Sequence, residues 1–221
     1  MNFDLVFRIL FLILFILVLI IRYFYSRKSQ IHLTKGLSYK RWKDAAKIEG
    51  KVMVSLWGIS FAIIYISIIL YILALPWLSW TQLPFPIWLR WFGIGLDIVS
   101  IPFLIWVHQT LNKYWRTSLE ISEKHSLVTT GPYCRVRHPM YTVLITFNIG
   151  LVLISANLFV LVGFLIIIIL TFARIPKEEQ MMLEHFGDEY RAYKQQTGRL
   201  LPRFRFKSDK KQFSRQKNIE D

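Results

Sequence analysis

The sequence predicts an all-α fold: an integral membrane helical bundle of about five transmembrane helices with a cytoplasmic amphipathic C-terminal helix. Three observations predict it. Apolar residues make up 54% of the chain and gather in blocks, so that residues 52–89 and 139–173 contain no charged side chain. The apolar positions show no period-2 alternation, which excludes a membrane β-barrel, and backbone polar groups in lipid must then pair within helices. Basic residues alternate with those blocks. Of 28 Lys and Arg, nine lie in 22–51, five in 112–137 and twelve in 174–221, leaving only Arg8 and Arg90 elsewhere. That distribution follows the positive-inside rule, so the net charge of +14 reports membrane topology and, second, attraction to anionic membrane lipids. No nucleic-acid partner is expected.

The first apolar segment spans Phe3–Ile21. Its basic residues (Arg22, Arg27, Lys28) follow the apolar run, and no small-residue cleavage site appears, so it reads as an uncleaved span with its N-terminus outside rather than a signal peptide. Residues 22–51 read as a basic cytoplasmic loop, partly an interfacial helix with Trp42 as an anchor. The second span runs from Val52 to Leu75 and ends at Pro76. Trp77, Trp80, Trp88 and Trp91 mark the outer membrane boundary, with Pro84 and Pro86 punctuating the turn. The third span, Ile87–Leu111, carries Asp97 near its middle, where a carboxylate is costly and faces the bundle interior or a cavity.

After polar residues 112–137, the 35 residues Pro139–Ala173 carry no formal charge. As one helix they would measure about 52 Å, too long for a single crossing of about 30 Å. A fold-back at Ser155-Ala156-Asn157 makes them two spans that return both ends to the cytoplasm. Beyond Arg174, Met182, Phe186, Tyr190 and Tyr193 recur at helical spacing against Glu184, Asp188, Glu189, Arg191 and Lys194, giving an amphipathic helix interrupted at Gly187. The domain organisation is therefore an N-terminal three-span region, 1–111, with the basic loop 22–51; a core, 112–203, with the hairpin 139–173; and a disordered basic tail, 204–221.

Residues suited to chemistry gather in two places that the hairpin makes neighbours. One is His125-Ser126-Leu127-Val128 to Tyr133, followed by Arg137-His138-Pro139-Met140-Tyr141; the other is Arg174 to Glu178-Glu179. The single Cys134 excludes an intrachain disulfide, and His125, Cys134 and His138 lack metal-ligand spacing, so no metal is expected.

The string Leu127-Val-Thr-Thr-Gly-Pro-Tyr-Cys-Arg-Val-Arg-His-Pro-Met-Tyr141, then Arg174-x-x-x-Glu178-Glu179, Phe186-Gly-Asp-Glu-Tyr190, Tyr193 and Leu201-Pro202, resembles the isoprenylcysteine carboxyl methyltransferase family over about residues 110–203. Related membrane phospholipid N-methyltransferases are similar in this half. The resemblance implies S-adenosylmethionine as cofactor, bound by His125, Ser126, Leu127, Val128, Tyr133, His138, Pro139, Met140, Tyr141 and Glu178, with Glu178 taking the ammonium and His125 or His138 the carboxylate. It implies that Arg174 contacts the acceptor, a lipid or a prenylated small molecule or protein, and serves turnover. Pro176 departs from the family's pattern, and a proline there can kink or restart the helix between Arg174 and Glu178, which leaves the convergence of the two side chains open. The membrane implied is a bacterial inner membrane or the endoplasmic reticulum. Alternatives are a phospholipid N-methyltransferase, an NADPH-dependent enzyme like the sterol reductases, which share Arg-His-Pro-x-Tyr, and a non-catalytic membrane scaffold.

Overall fold

The computed structural model describes residues 3–31, 50–111 and 127–203. Trp42, His125, Ser126 and the tail 204–221 lie outside the described residues. Five α-helices follow in order: α1 Phe3–Ile31, α2 Lys51–Leu73, α3 Ile87–Leu111, α4 Pro139–Ser155 and α5 Leu158–Gln196. Four of them, all but α4, are long and apolar enough to cross a membrane. Helix α4 has 17 residues and spans about 25 Å, close to one hydrocarbon thickness. The chain is a multi-pass membrane protein, as the apolar blocks predict.

The helices are apolar on both sides, and the two sides have different neighbours. In α1, Phe7, Phe11, Leu14 and Val18 are buried, whereas Ile9, Ile13, Ile16 and Ile20 are exposed on the opposite face. In α2, Ile69 is 56% exposed. Such a coat of exposed aliphatic side chains suits lipid, not water. Helix α1 runs ten residues past the predicted end of its span, through Arg22 to Ile31, so the loop expected from residue 22 begins as helix. The basic residues there are borne on a continuing helix, with Arg27 Nε donating to Tyr23 Oη at 2.9 Å one turn back.

Inside the bundle, close approach depends on glycine. A Cβ on Gly93 of α3 would come within 2.8 Å of the Gly150 carbonyl of α4, and one on Gly150 would overlap the Asp97 carboxyl. Helices pressed this closely gain dispersion contacts that larger side chains would prevent. Asp97 is fully buried in this crossing, and among the described residues its carboxyl oxygens meet no hydrogen-bond partner. Gly163 of α5 serves the same purpose against Ile64 of α2.

The Trp-rich end is closed by polar contacts. Helix α4 stops where Ala156 turns left-handed (φ 46°), and Asn157 caps α5, its side-chain oxygen accepting from the backbone N–H groups of Phe159 and Val160 at 3.0 and 3.3 Å. The Asn157 amide donates to Thr81 Oγ1 at 2.8 Å, and Leu83 N–H donates to the Ala156 carbonyl at 2.7 Å. The hairpin turn is thereby docked on the Trp77–Trp91 turn, as the five-span reading requires. At the same end Arg90 binds Asp4 at 2.7 Å, donates to the Ile154 carbonyl at 2.9 Å and covers the Phe7 ring.

Candidate active site

At the opposite, basic end the hairpin brings its two ends together. Pro139 is the first residue of α4, where its missing N–H and fixed φ cost nothing, and His138 caps it. The α5 side of the site comes from Arg174 to Glu179. Helix α5 has 39 residues, about 58 Å, so it extends well past one hydrocarbon thickness and carries Glu178 and Glu179 beyond its apolar run. Helical dihedrals continue through Pro176, and non-helical dihedrals occur in α5 only at Gly187. Pro176 and Phe172, whose carbonyl loses its partner to the proline, both lie on the exposed side of α5.

The neighbouring glutamates face different surroundings. Glu178 is 32% exposed and accepts a hydrogen bond from Tyr141 Oη at 2.8 Å. The Tyr141 ring lies against His138, centroids 5.6 Å apart. Glu179 is 4% exposed and saturated with cations: Arg137 Nε at 3.0 Å, Lys194 Nζ and Arg199 Nη2 at 3.2 Å. His138 stands between the two, with Nε2 3.4 Å from Glu179 and Nδ1 3.9 Å from Glu178. Burial pushes the Glu179 carboxyl up, but the contacts from His138, Arg199 and Arg137 prevail and hold it well below the ordinary carboxylate range.

This network staples the C-terminal segment across the site. Arg137 N–H donates to Gly198 O, His138 N–H to Arg199 O, and Gly198 N–H to Arg135 O. Tyr193 Oη donates to the Tyr133 carbonyl at 2.7 Å, and Thr142 Oγ1 to Leu200 O at 2.6 Å. Tyr133 is buried, and burial, with Glu178, Tyr193 and Tyr141 nearby, pushes its phenol well above the ordinary value. Gly131, at φ 58°, lets the preceding loop touch α3, since a Cβ there would lie 2.8 Å from Thr110 Oγ1.

Of the residues singled out from sequence, His138, Tyr141 and Glu178 come into direct mutual contact, and Pro139 and Met140 lie between them along the chain. Leu127 and Val128 are half-buried, with Val128 packed on the core. Arg174 lies one turn from Glu178 but turns toward α2, its guanidinium 5.9 Å from the centre of the Trp57 ring. Sequence reasoning overlooked the binding of Glu179 by Arg137, Lys194 and Arg199. The available signal was a buried-type Tyr193 among basic residues shortly before the chain turns at Thr197-Gly198. A cleft of about 600 Å³ bordered by Arg137, Arg191, Lys194 and Arg203 lies beside this network and contains none of the other singled-out residues.

Comparison with known proteins gives the chain's likeness to a family over part of its length. The isoprenylcysteine carboxyl methyltransferase family is matched over residues 93–184. Over that stretch, under half of its length, the chain is similar to that family. A protein-S-isoprenylcysteine O-methyltransferase of Xenopus laevis is 36% identical over 84 residues, 38% of this chain and 29% of that protein. The Arabidopsis thaliana protein-S-isoprenylcysteine O-methyltransferase B is 33% identical over 81 residues, 36% of this chain and 41% of that one. The human protein of the same name is 34% identical over 38% of this chain and 30% of its own length. The match therefore spans less than half the length of these curated relatives. A solved structure of a eukaryotic intramembrane Ras methyltransferase, isoprenylcysteine carboxyl methyltransferase, superposes with a TM-score of 0.51 at 21% identity, covering 81% of this chain and 72% of that one, which establishes a shared fold. The family match includes α3 from Gly93, earlier in the chain than the motif string, and ends within α5 at Glu184.

Proposed function

We propose that the protein transfers a methyl group from S-adenosylmethionine to the carboxylate of an isoprenylated cysteine, carried by a lipid-like small molecule or a protein, at the cytoplasmic face of its membrane. The observation that carries the proposal is the Glu178–Tyr141 pair. It places an accessible carboxylate, oriented by a phenol, at the mouth of the hairpin in the segment that matches the family.

The residues fit the cofactor. Glu178 is exposed enough to meet an ammonium, whereas Glu179 is already saturated by arginine and lysine. The half-buried backbone at Leu127 and Val128 suits the edge of an adenine, and the Tyr133 and Tyr141 rings offer faces to a sulfonium, worth about 0.5–2 kcal/mol. When bound, S-adenosylmethionine supplies an electrophilic methyl group on that sulfonium. The acceptor carboxylate is already ionised at neutral pH, so the chain's task is alignment and exclusion of water. Arg174, above Trp57 near the lipid-facing side, would hold the carboxylate by a bidentate, charge-assisted pair while the prenyl tail remains among the helices. The N-terminus and the Trp77–Trp91 turn would face outward, with the site inside.

Thermal-shift titration of the detergent-purified protein tests the reading. S-adenosylmethionine and its demethylated product should stabilise it in proportion to ligand concentration, and NADPH should not. Stabilisation by NADPH alone would assign the chain to reductase chemistry instead.

A further inference from the structure

The core-facing stripe of α1 steps through Phe7, Phe11, Leu14 and Val18, all buried. Continuing at helical spacing, its next positions are Arg22 and Tyr25. Tyr25 shows that the stripe still faces the bundle, because its ring stacks on buried His108 of α3 at 4.8 Å and an interplanar angle of 5°. Two turns before Arg22, Phe15 meets Tyr65 of α2 edge-on. Tyr141 of α4 and Tyr65 of α2 lie near enough to act on Arg22 electrostatically, and Arg22 acts on His108 in turn. Helix α1 thus brings a guanidinium toward Tyr141 of the site.

Three other arginines of the bundle are matched, and Arg8, whose Nε is buried without a hydrogen bond among the described residues, lies over the Tyr71 ring. Arg90 has Asp4, Arg137 has Glu179, and Arg27 has the Tyr23 hydroxyl. Among the described residues, no hydrogen bond or ion pair reaches Arg22. A half-buried cation at the edge of a low-dielectric bundle is unfavourable until an anion meets it. The phenol that bears on Arg22, Tyr141, is the one that donates to Glu178. Acid and phenol share a hydrogen bond and the guanidinium acts on the same phenol, an arrangement suited to a ligand carrying both an ammonium and a carboxylate. His138, the other candidate for a ligand carboxylate, is turned toward Glu178 and Glu179.

We propose that Arg22 is a carboxylate-binding residue of the site, receiving the carboxylate of either the cofactor's amino-acid end or the acceptor cysteine. This rests on the methyltransferase reading above. The test uses Arg22→Gln and Arg22→Lys in the full-length protein, with unchanged gel filtration in detergent as the folding control. Calorimetry is run with S-adenosylhomocysteine and with methylthioadenosine, which lacks the amino-acid end, and KM is measured for a farnesylated N-acetylcysteine. If the cofactor is the source, Arg22→Gln weakens S-adenosylhomocysteine about ten- to 150-fold and leaves methylthioadenosine unchanged. If the acceptor is the source, S-adenosylhomocysteine affinity is unchanged and KM rises at least about tenfold. Arg22→Lys recovers part of either loss, since an ammonium keeps the charge but not the fork, and it carries the test should Arg22→Gln fail to fold. Wild-type protein that binds both nucleosides while neither variant changes affinity or KM would overturn the assignment alone. Wild-type protein that binds neither nucleoside and turns over no acceptor would overturn the methyltransferase reading, and this assignment with it.

Discussion

Replacing Glu179 with glutamine removes one negative charge from the centre of four cationic or ionisable groups and changes almost nothing in shape. Arg137, 8% exposed, loses its counter-charge in a buried setting, whereas Lys194 and Arg199, 46% and 49% exposed, can return to water. Breaking a buried pair by removing one partner costs about 3–5 kcal/mol, and half-exposed pairs add at most about 1 kcal/mol. Glutamine still offers one carbonyl to Arg137, which places the expected loss near the lower end, about 3 kcal/mol. Residues 193–200 should loosen first, because Arg137 ties that segment to α4. Limited trypsin digestion should then cut after Lys194 and Arg199 in the variant under conditions where wild type resists, with global unfolding at lower denaturant. The Glu179 carboxyl is held below its ordinary value of 4.5, so its contribution is complete above that pH and disappears as pH falls further. Wild type should accordingly become trypsin-like in sensitivity to an acid-tolerant protease only below about pH 4, and Glu179→Gln should show no such acid step. A loss under about 0.5 kcal/mol with unchanged digestion would refute the reasoning, because the network would then behave as a surface cluster.

Glu178→Gln should separate cleanly from its neighbour, weakening S-adenosylhomocysteine binding about ten- to 150-fold in calorimetry with little change in unfolding. Arg174→Ala should leave that affinity within about twofold while abolishing turnover of a farnesylated cysteine, and Arg174→Lys should restore only part of it. In a Cys134→Ser background, a cysteine at exposed Ser79 should react with an impermeant thiol reagent on intact cells, and one at exposed Gln196 should react only after permeabilisation.

Much of this architecture was legible because it depends on local chemistry. The uncharged run Pro139–Ala173 was too long for one crossing, and Asn157 is a strong helix cap, so the turn at Ser155-Ala156-Asn157 followed. The meeting of Tyr141 with Glu178 followed from that turn. The end of α1 was misplaced because Arg22, Arg27 and Lys28 resemble a loop by charge, although long basic side chains are readily carried on a helix at a membrane boundary. The effect of Pro176 was open in the sequence; that helical dihedrals continue through it, with Pro176 on an exposed side of α5, is a tertiary fact. The Glu179 network is tertiary too, joining residues 42 positions apart in Arg137 and Glu179. The glycine pair Gly93 and Gly150 carried no mark in sequence of the Asp97 carboxyl that lies against it.

The central claim is that this site methylates a carboxylate, and the product itself tests it most directly. Detergent-solubilised protein is incubated with methyl-tritiated S-adenosylmethionine and a farnesylated N-acetylcysteine, and the extracted product is treated with base. A carboxyl methyl ester hydrolyses to volatile tritiated methanol, so base-released counts that depend on protein and fall with Glu178→Gln or Arg174→Ala are the predicted result. Labelled product that survives base, as N-methyl and S-methyl groups do, or no transfer by protein that binds S-adenosylmethionine, would contradict the account.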